Sequence, residues 1–509
     1  MSSRRPVVLV LLATFVALAL VSPLGFLVYE SYRAGVWTVG HLMFRSRTAH
    51  LLWNTVRLTI VVTALCAVIG TGAAYLVERT DLPGRRIWAV LLVVPLAIPD
   101  FVVAFGWVSL ESWLTGFRGA VLVMTLAVYP LVYLPAAAGF RNADPSQEEV
   151  ARSLGVGRFA TFWRVTIWQA KTAILGGCLL VTLVLLAEYG AFETVGYPTF
   201  TTEIFTELNL SFSLSAASAL SLVLVVFGIV VLGGEAVVRG RGRESRSGPL
   251  AKRLLTRRRL GRAKVPVLLL MAALVLLALG VPLGSSLDWI VKGQNGGIGG
   301  VSLIAAAGYT ALYSALAAAL ATAASIPVAL LSVRHAGRVQ LVLERSTYLV
   351  LAVPGVVVAL ALNYFASHYA VPYLHSAPLL IVAYAILFFP LALVGTRASL
   401  AQAPPGYEEV ARSLGQRRLA VLFRVTLPLI GPGLAAAFSL VFLSAVTELT
   451  ATLLMIPNGV QTLATQFWAY EQNLSYSQAA PFALAMILVA TLPSYVLGRF
   501  FDRLPSRSA

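Results

Sequence analysis

Twelve long apolar runs divide the chain, and the short polar segments between them hold most of its charge. Their approximate limits are 7–28, 52–77, 87–110, 119–140, 172–190, 214–234, 265–283, 304–331, 346–364, 377–395, 430–453 and 479–498. A helix needs about 20 predominantly apolar residues to cross a bilayer. The pattern therefore predicts an all-α integral membrane protein with about twelve transmembrane helices.

The polar intervals repeat. "EEVARSLG" stands at 148–155 and again, unchanged, at 408–415, an offset of 260. Pro130 and Pro390, Arg164 and Arg424, and Glu188 and Glu448 keep that offset. Upstream it becomes 255, pairing Thr55 with Thr310, Arg79 with Arg334, and Pro99 with Pro354; a five-residue length difference near 366–376 accounts for the change. The chain thus reads as two six-helix halves. The first is 1–239, with a charged loop over 144–170. A basic linker follows at 240–264, and the second half is 265–509, with its loop over 404–430. An even number of spans per half makes the repeat parallel, and such transporters place their path between the halves near the bilayer midplane.

Composition agrees: 59% of residues are hydrophobic and 12% charged, against about 25% charged in soluble domains. The net charge of +17 raises the question of nucleic acid. Its placement answers that. With the N-terminus in the cytoplasm and twelve alternating spans, 32 of the 38 Lys and Arg fall on the cytoplasmic side. This is the positive-inside pattern, with a contribution from anionic lipid, and it puts both termini in the cytoplasm. No nucleic-acid partner is expected. Cys66 and Cys178 lie inside apolar runs, so no disulfide framework is expected. The basic start before the first run resembles a signal peptide, but the run is long and lacks an A-x-A site, which favours an uncleaved first span.

Both repeated loops carry helix signals. In "NADPSQEEVARSLG", Asp144 can cap a helix, Pro145 suits its first position, and Gln147 stands where a capping-box partner would. Glu148 and Glu149 lie in the first turn, where the helix dipole favours acids. Arg152 follows near the end, and Gly155 can take the left-handed geometry that stops a helix. The second copy, "PPGYEEVARSLG", lacks the Asp cap. An isolated loop of this kind could merely connect two spans. Two equivalent copies on one side suggest docking points for two copies of one partner.

The segment "EEVARSLG…FRVTLP" resembles the EAA loop of permease subunits from binding-protein-dependent ABC importers. Glu149 and Glu409 match the acid of that motif, Ala151 and Ala411 its second alanine, and Gly155 and Gly415 its glycine. Val150 and Val410 replace the first alanine. Leu427-Pro428 keeps the terminal Leu-Pro, whereas the first copy has Ile167-Trp168. The resemblance implies the type I ABC importer permease fold. It also implies a coupling role for Glu148, Glu149, Ala151, Arg152, Gly155 and Arg164, and for Glu408, Glu409, Ala411, Arg412, Gly415 and Arg424. The expected partners are two copies of an ATPase subunit and an extracytoplasmic substrate-binding protein, in a bacterial inner membrane. The chain holds no G-x-x-x-x-G-K-[ST] loop, so ATP and Mg²⁺ belong on separate ATPase subunits. No catalytic residue, metal ligand or cofactor is expected in this chain.

Charges inside spans are costly and call for a function. Asp100, directly after Pro99, and Glu188 and Glu448 are candidates for the translocation path, together with Pro99 and Pro354. All three charges are acidic, which suits a cationic or metal-bearing cargo better than an oxyanion. They could instead pair with backbone groups and only shape the helices. "PLAIPDFVVAFGW" (95–107) and "LAEYGAFETVGYPTFTTEIF" (186–205) resemble the ferric-iron permeases of this superfamily. Thiamine permeases share the fused layout. A rival of another class is an ion-coupled secondary transporter of the major-facilitator kind, which does not account for twin loops after the fourth and tenth spans.

Overall fold

The computed structural model describes residues 7–239, 258–293, 300–335 and 349–502, apart from 112, 210 and 212, with a few positions between 337 and 347. Most of the expected linker, 240–257, lies outside the described residues. Among the described residues, nine helices are long and apolar enough to cross a membrane. The third span is a tenth, but it is not the continuous helix that its hydropathy suggests. It consists of Arg85–Ala97 and Asp100–Val108, bent by 91°. Pro99 causes the break: a proline disfavours α geometry in the residue before it, and Ile98 is extended at φ −94°, ψ 123°. The ninth span differs in the same way. A 3₁₀ turn over Leu349–Ala352 precedes Pro354, and the helix proper is Gly355–Tyr369. The twelfth expected span lies in Tyr476–Asp502.

In lipid, close helix packing depends on small residues at the contacts. The fourth span (Gly116–Asn142) packs on the fifth (Phe159–Ala187), and the tenth (Ala377–Gln402) on the eleventh (Arg418–Val446). In the first half Gly177 meets Pro135, and Gly139 meets Ala173. In the second, Gly395 meets Ala437, and Gly433 meets Ser399. A Cβ on Gly177 would stand 2.7 Å from the Val132 Cα, and one on Gly395 would stand 2.9 Å from the Ala437 Cβ. These are equivalent contacts under the 260-residue offset. Each has one glycine, but on opposite helices in the two halves.

The chain forms two compact units, 40–288 and 1–39 with 289–509. They are not the two sequence repeats. In the first unit, the seventh span (Gly261–Lys292) packs on helices of the first repeat: Gly106 lies against it so closely that a Cβ would be 2.7 Å from the Pro282 Cα. In the second unit, the first span (Val7–Arg33) packs on Gly300–Arg334 and Gly355–Tyr369. Each repeat thus contributes its first span to the unit built from the other.

One more connection organises the 40–288 unit. The end of the linker returns beside the loop after the second span. Arg258 N–H donates to the Arg79 carbonyl at 2.9 Å, and Asp81 N–H donates to the Arg258 carbonyl at 3.1 Å. The Asp81 carboxylate accepts from Leu260 N–H at 2.8 Å and pairs with Lys264 at 3.0 Å.

Candidate functional site

The two repeated segments fold as short exposed helices, Pro145–Ser153 and Gly406–Ser413. Asp144 caps the first through Ser146: its Oδ1 accepts from the Ser146 N–H at 2.9 Å and from the hydroxyl at 2.8 Å. The cap therefore closes on Ser146, not through the expected Gln147 box. The second helix begins at Pro405 without a side-chain cap. Both end alike. Gly155 and Gly415 take φ of 78° and 79°. Gly155 N–H donates to Arg152 O and Val156 N–H to Ala151 O; Gly415 and Gln416 do the same to Arg412 and Ala411. This is the Schellman stop, which needs a left-handed residue.

The helices share one pattern of faces. Val150, Leu154, Phe159 and Trp163 are exposed in the first, and Val410, Leu414, Leu419 and Phe423 at the matching positions of the second. Leu154 is 76% exposed and Leu414 75%. Glu149 and Glu409 also face outward, whereas Ala151 and Ala411 are half-buried. Arg164 and Arg424 are exposed on the π-helical segments Phe162–Thr166 and Leu422–Thr426, which open the fifth and eleventh spans.

The inward face is held by one acid in each copy. Glu148 pairs with Arg79, at the end of the second span, and accepts from the Thr166 hydroxyl at 2.9 Å. Its other oxygen lies 3.9 Å from Arg152. Glu408 pairs with Arg334 at 3.2 Å and lies 3.6 Å from Arg412. Arg334 also donates to the Ala403 carbonyl at 2.9 Å. The Arg79 and Glu148 side chains are only 7% and 13% exposed, so each is the other's charge partner in a largely dehydrated place. Glu148 thereby ties together the short helix, the second span and the start of the fifth.

The intramembrane acids stand at breaks in the spans. Asp100 opens Asp100–Val108 just beyond the Pro99 bend. Glu188 ends the fifth span in extended conformation, and its Oε1 accepts from Ala191 N–H at 2.8 Å at the start of Gly190–Thr194. Glu448 repeats this, accepting from Ala451 N–H at 2.9 Å at the start of Thr450–Met455. Its carbonyl accepts from the Thr452 hydroxyl at 2.6 Å. Both glutamates therefore cap the short helix that follows.

The family model for the binding-protein-dependent transport system inner membrane component matches the chain twice, over residues 67–241 and 315–508. The chain belongs to this family. The permease is 36% identical over 503 residues to the Fe(3+)-transport system permease protein FbpB 2 of Haemophilus influenzae, covering 98% of this chain and 99% of that protein. It is 27% identical over 245 residues to the sulfate transport system permease protein CysW of Synechocystis, or 44% of this chain and 89% of that protein. It is likewise 27% identical over 195 residues to the molybdate/tungstate transport system permease protein WtpB of Pyrococcus furiosus, covering 38% and 78%. It is thus an integral inner-membrane protein, the membrane-spanning subunit of an ABC importer.

Two groups of expected residues meet different surroundings in this permease. The loop residues fall into an exposed set and an anchored set, with Glu148 and Glu408 in the second. Arg79, Arg334 and Thr166 belong to that anchored set, although the EAA resemblance does not point to them. The shared 255 offset of Arg79 and Arg334 was the available signal. In the second half Gly355, the counterpart of Asp100, sits against Glu448: a Cβ there would lie 2.8 Å from its Oε1. The Glu448 cap yields a test. Glu448→Gln keeps an acceptor for Ala451 N–H and is expected to leave thermal stability unchanged. Glu448→Ala is expected to cost about 1 kcal/mol, as lost caps do. Equal destabilisation by both variants would show that the charge, not the cap, holds the break.

Proposed function

We propose that this permease passes ferric iron, delivered by an extracytoplasmic binding protein, into the cytoplasm, driven by two copies of a separate ATPase subunit. The observation that carries the reading is the pair of matched helices, each with an apolar outward face and a charged anchor. Two equivalent handles suit two equivalent motor subunits. In this reading Val150, Leu154, Val410 and Leu414 seat in the ATPases, which hold ATP and Mg²⁺. Glu149, Glu409, Arg152, Arg412, Arg164 and Arg424 surround those contacts. Glu148 and Glu408 carry the motion into the spans through Arg79 and Arg334. Closure of the ATPases draws the handles together and opens the path outward; a nucleotide drives this only through its different affinity for the two states. In this reading the handles and both termini lie in the cytoplasm, which the positive-inside distribution supports.

Iron is favoured because the relative named for Fe(3+) aligns along nearly the whole chain, whereas those named for oxyanions align over less than half of it. The acids at the span breaks fit a cationic cargo. Sulfate or molybdate is the second reading, since several relatives carry those names. Liposomes holding the permease and its ATPase, supplied with iron-loaded binding protein, are expected to accumulate iron only with ATP. Excess sulfate and molybdate should not compete. Accumulation of either oxyanion in place of iron overturns the substrate, and full-rate uptake without the ATPase overturns the mechanism.

A further inference from the structure

The loop after the second span and the end of the linker come together close to the Arg79–Glu148 pair that holds the first coupling helix. Their described parts, 80–91 and 258–270, hold six basic residues and one acid. The acid is Asp81, and it is already engaged. The Leu260 N–H and the Lys264 ammonium hold its carboxyl below the usual carboxylate range, so it is ionised and occupied at neutral pH. Among the described residues, no ion pair to an acid engages Arg85, Arg86, Arg258, Arg259 or Arg262 in this cluster. Arg86, Arg258, Arg259 and Arg262 are exposed. Next to Arg85 and Arg86 is an open cleft of about 620 Å³ whose wall includes Thr80, the engaged Asp81, Arg85, Arg86 and Ile87.

The arginines sit at the head of two apolar stripes. In the first helix of the third span, Arg86, Ile87 and Val90 are all exposed, and spacings of three and four put them on one face. In the seventh span Arg262, Val265 and Leu269 are exposed at the same spacings. Each stripe therefore presents a cation above hydrocarbon-facing side chains. The Arg258 ladder and the Asp81–Leu260 bond hold the two segments beside each other. A free anion needs only the cations. A phospholipid uses both parts, with its phosphate on the arginines and its acyl chains along the stripes.

We infer that this cleft binds the phosphate headgroup of an anionic phospholipid, with Arg85 and Arg86 as its principal ligands and Arg262 beside them. The linker end is pinned to the same loop at Arg79 and Asp81, so a lipid seated there braces the loop that begins at Arg79. The neighbouring coupling helix, held by Arg79, is then sensitive to the membrane's anionic content.

Delipidated full-length permease in detergent, titrated with phosphatidylglycerol or phosphatidylcholine and weighed by native mass spectrometry, tests this. Phosphatidylglycerol adducts should persist at concentrations where phosphatidylcholine adducts do not. A basic residue near an anionic surface contributes about fivefold in affinity. Arg85→Gln/Arg86→Gln should therefore weaken phosphatidylglycerol binding roughly 25-fold, while Arg85→Lys/Arg86→Lys retains most of it. Equal retention of both lipids by the wild-type chain overturns the proposal, a result that needs no variant to fold. So does unchanged binding in the glutamine variant. Displacement of phosphatidylglycerol by millimolar inorganic phosphate assigns the cleft to a soluble anion and overturns the lipid reading.

Discussion

Arg79→Met is expected to abolish ATP-driven uptake while the ATPase partner still binds. The substitution leaves the Glu148 carboxylate in a largely dehydrated place with only Thr166 and a distant Arg152. Breaking one side of a buried pair costs about 3–5 kcal/mol, so thermal stability should fall as well. The double variant Arg79→Met/Glu148→Met separates the two effects. Replacing both charges by apolar groups of similar size is often neutral or stabilising, so stability should return. Uptake should not, because the link from the handle into the second span is still missing. If the double variant transports normally, the pair is only a structural element. Arg334→Met should act in the same way on Glu408, and it also removes the donor to the Ala403 carbonyl.

The second large effect is expected at the helix stops. Gly155→Val and Gly415→Val force a β-branched residue to φ near 78°, a conformation that costs L-residues about 1–2 kcal/mol. A Cβ at either position meets no atom of the rest of the chain within 4 Å. The damage is therefore confined to the turn and to the direction in which Leu154 or Leu414 points. ATP hydrolysis should continue in the assembled complex while substrate uptake falls about five- to thirtyfold, the size of such a backbone penalty. Membrane insertion should be unaffected. Uptake at the wild-type rate in the double glycine variant would remove these turns from the coupling path.

The sequence made the spans and the handles legible for different reasons. The spans are legible because a bilayer imposes length and apolarity on every crossing helix. The handles are legible because eight residues recur unchanged. The break at Pro99 was also written in the chain, yet the apolar run across it reads as continuous when only hydropathy is followed. What hydropathy cannot carry is the choice of partner. Nothing in 7–28 says that it packs with the second repeat, because one leucine-rich face is much like another in lipid. The Arg79–Glu148 pair spans 69 residues, and only the repeat offset of its arginine hinted at a role. Glu188 and Glu448 stand out in the sequence, as path residues or as partners of backbone groups, because a charge in an apolar run is conspicuous. Their capping bonds depend on the chain turning at that point, which composition does not reveal.

The alternating placement of glycine between the fourth and fifth spans of one half, and the tenth and eleventh of the other, limits which spans are interchangeable. Graft the tenth span onto the fifth, and Gly395 would face Gly177 across a void while Ser399 would crowd Ala173. Each half is therefore matched within itself, small residue against bulk, and a span of one cannot stand in for its counterpart without reshaping the neighbour it meets.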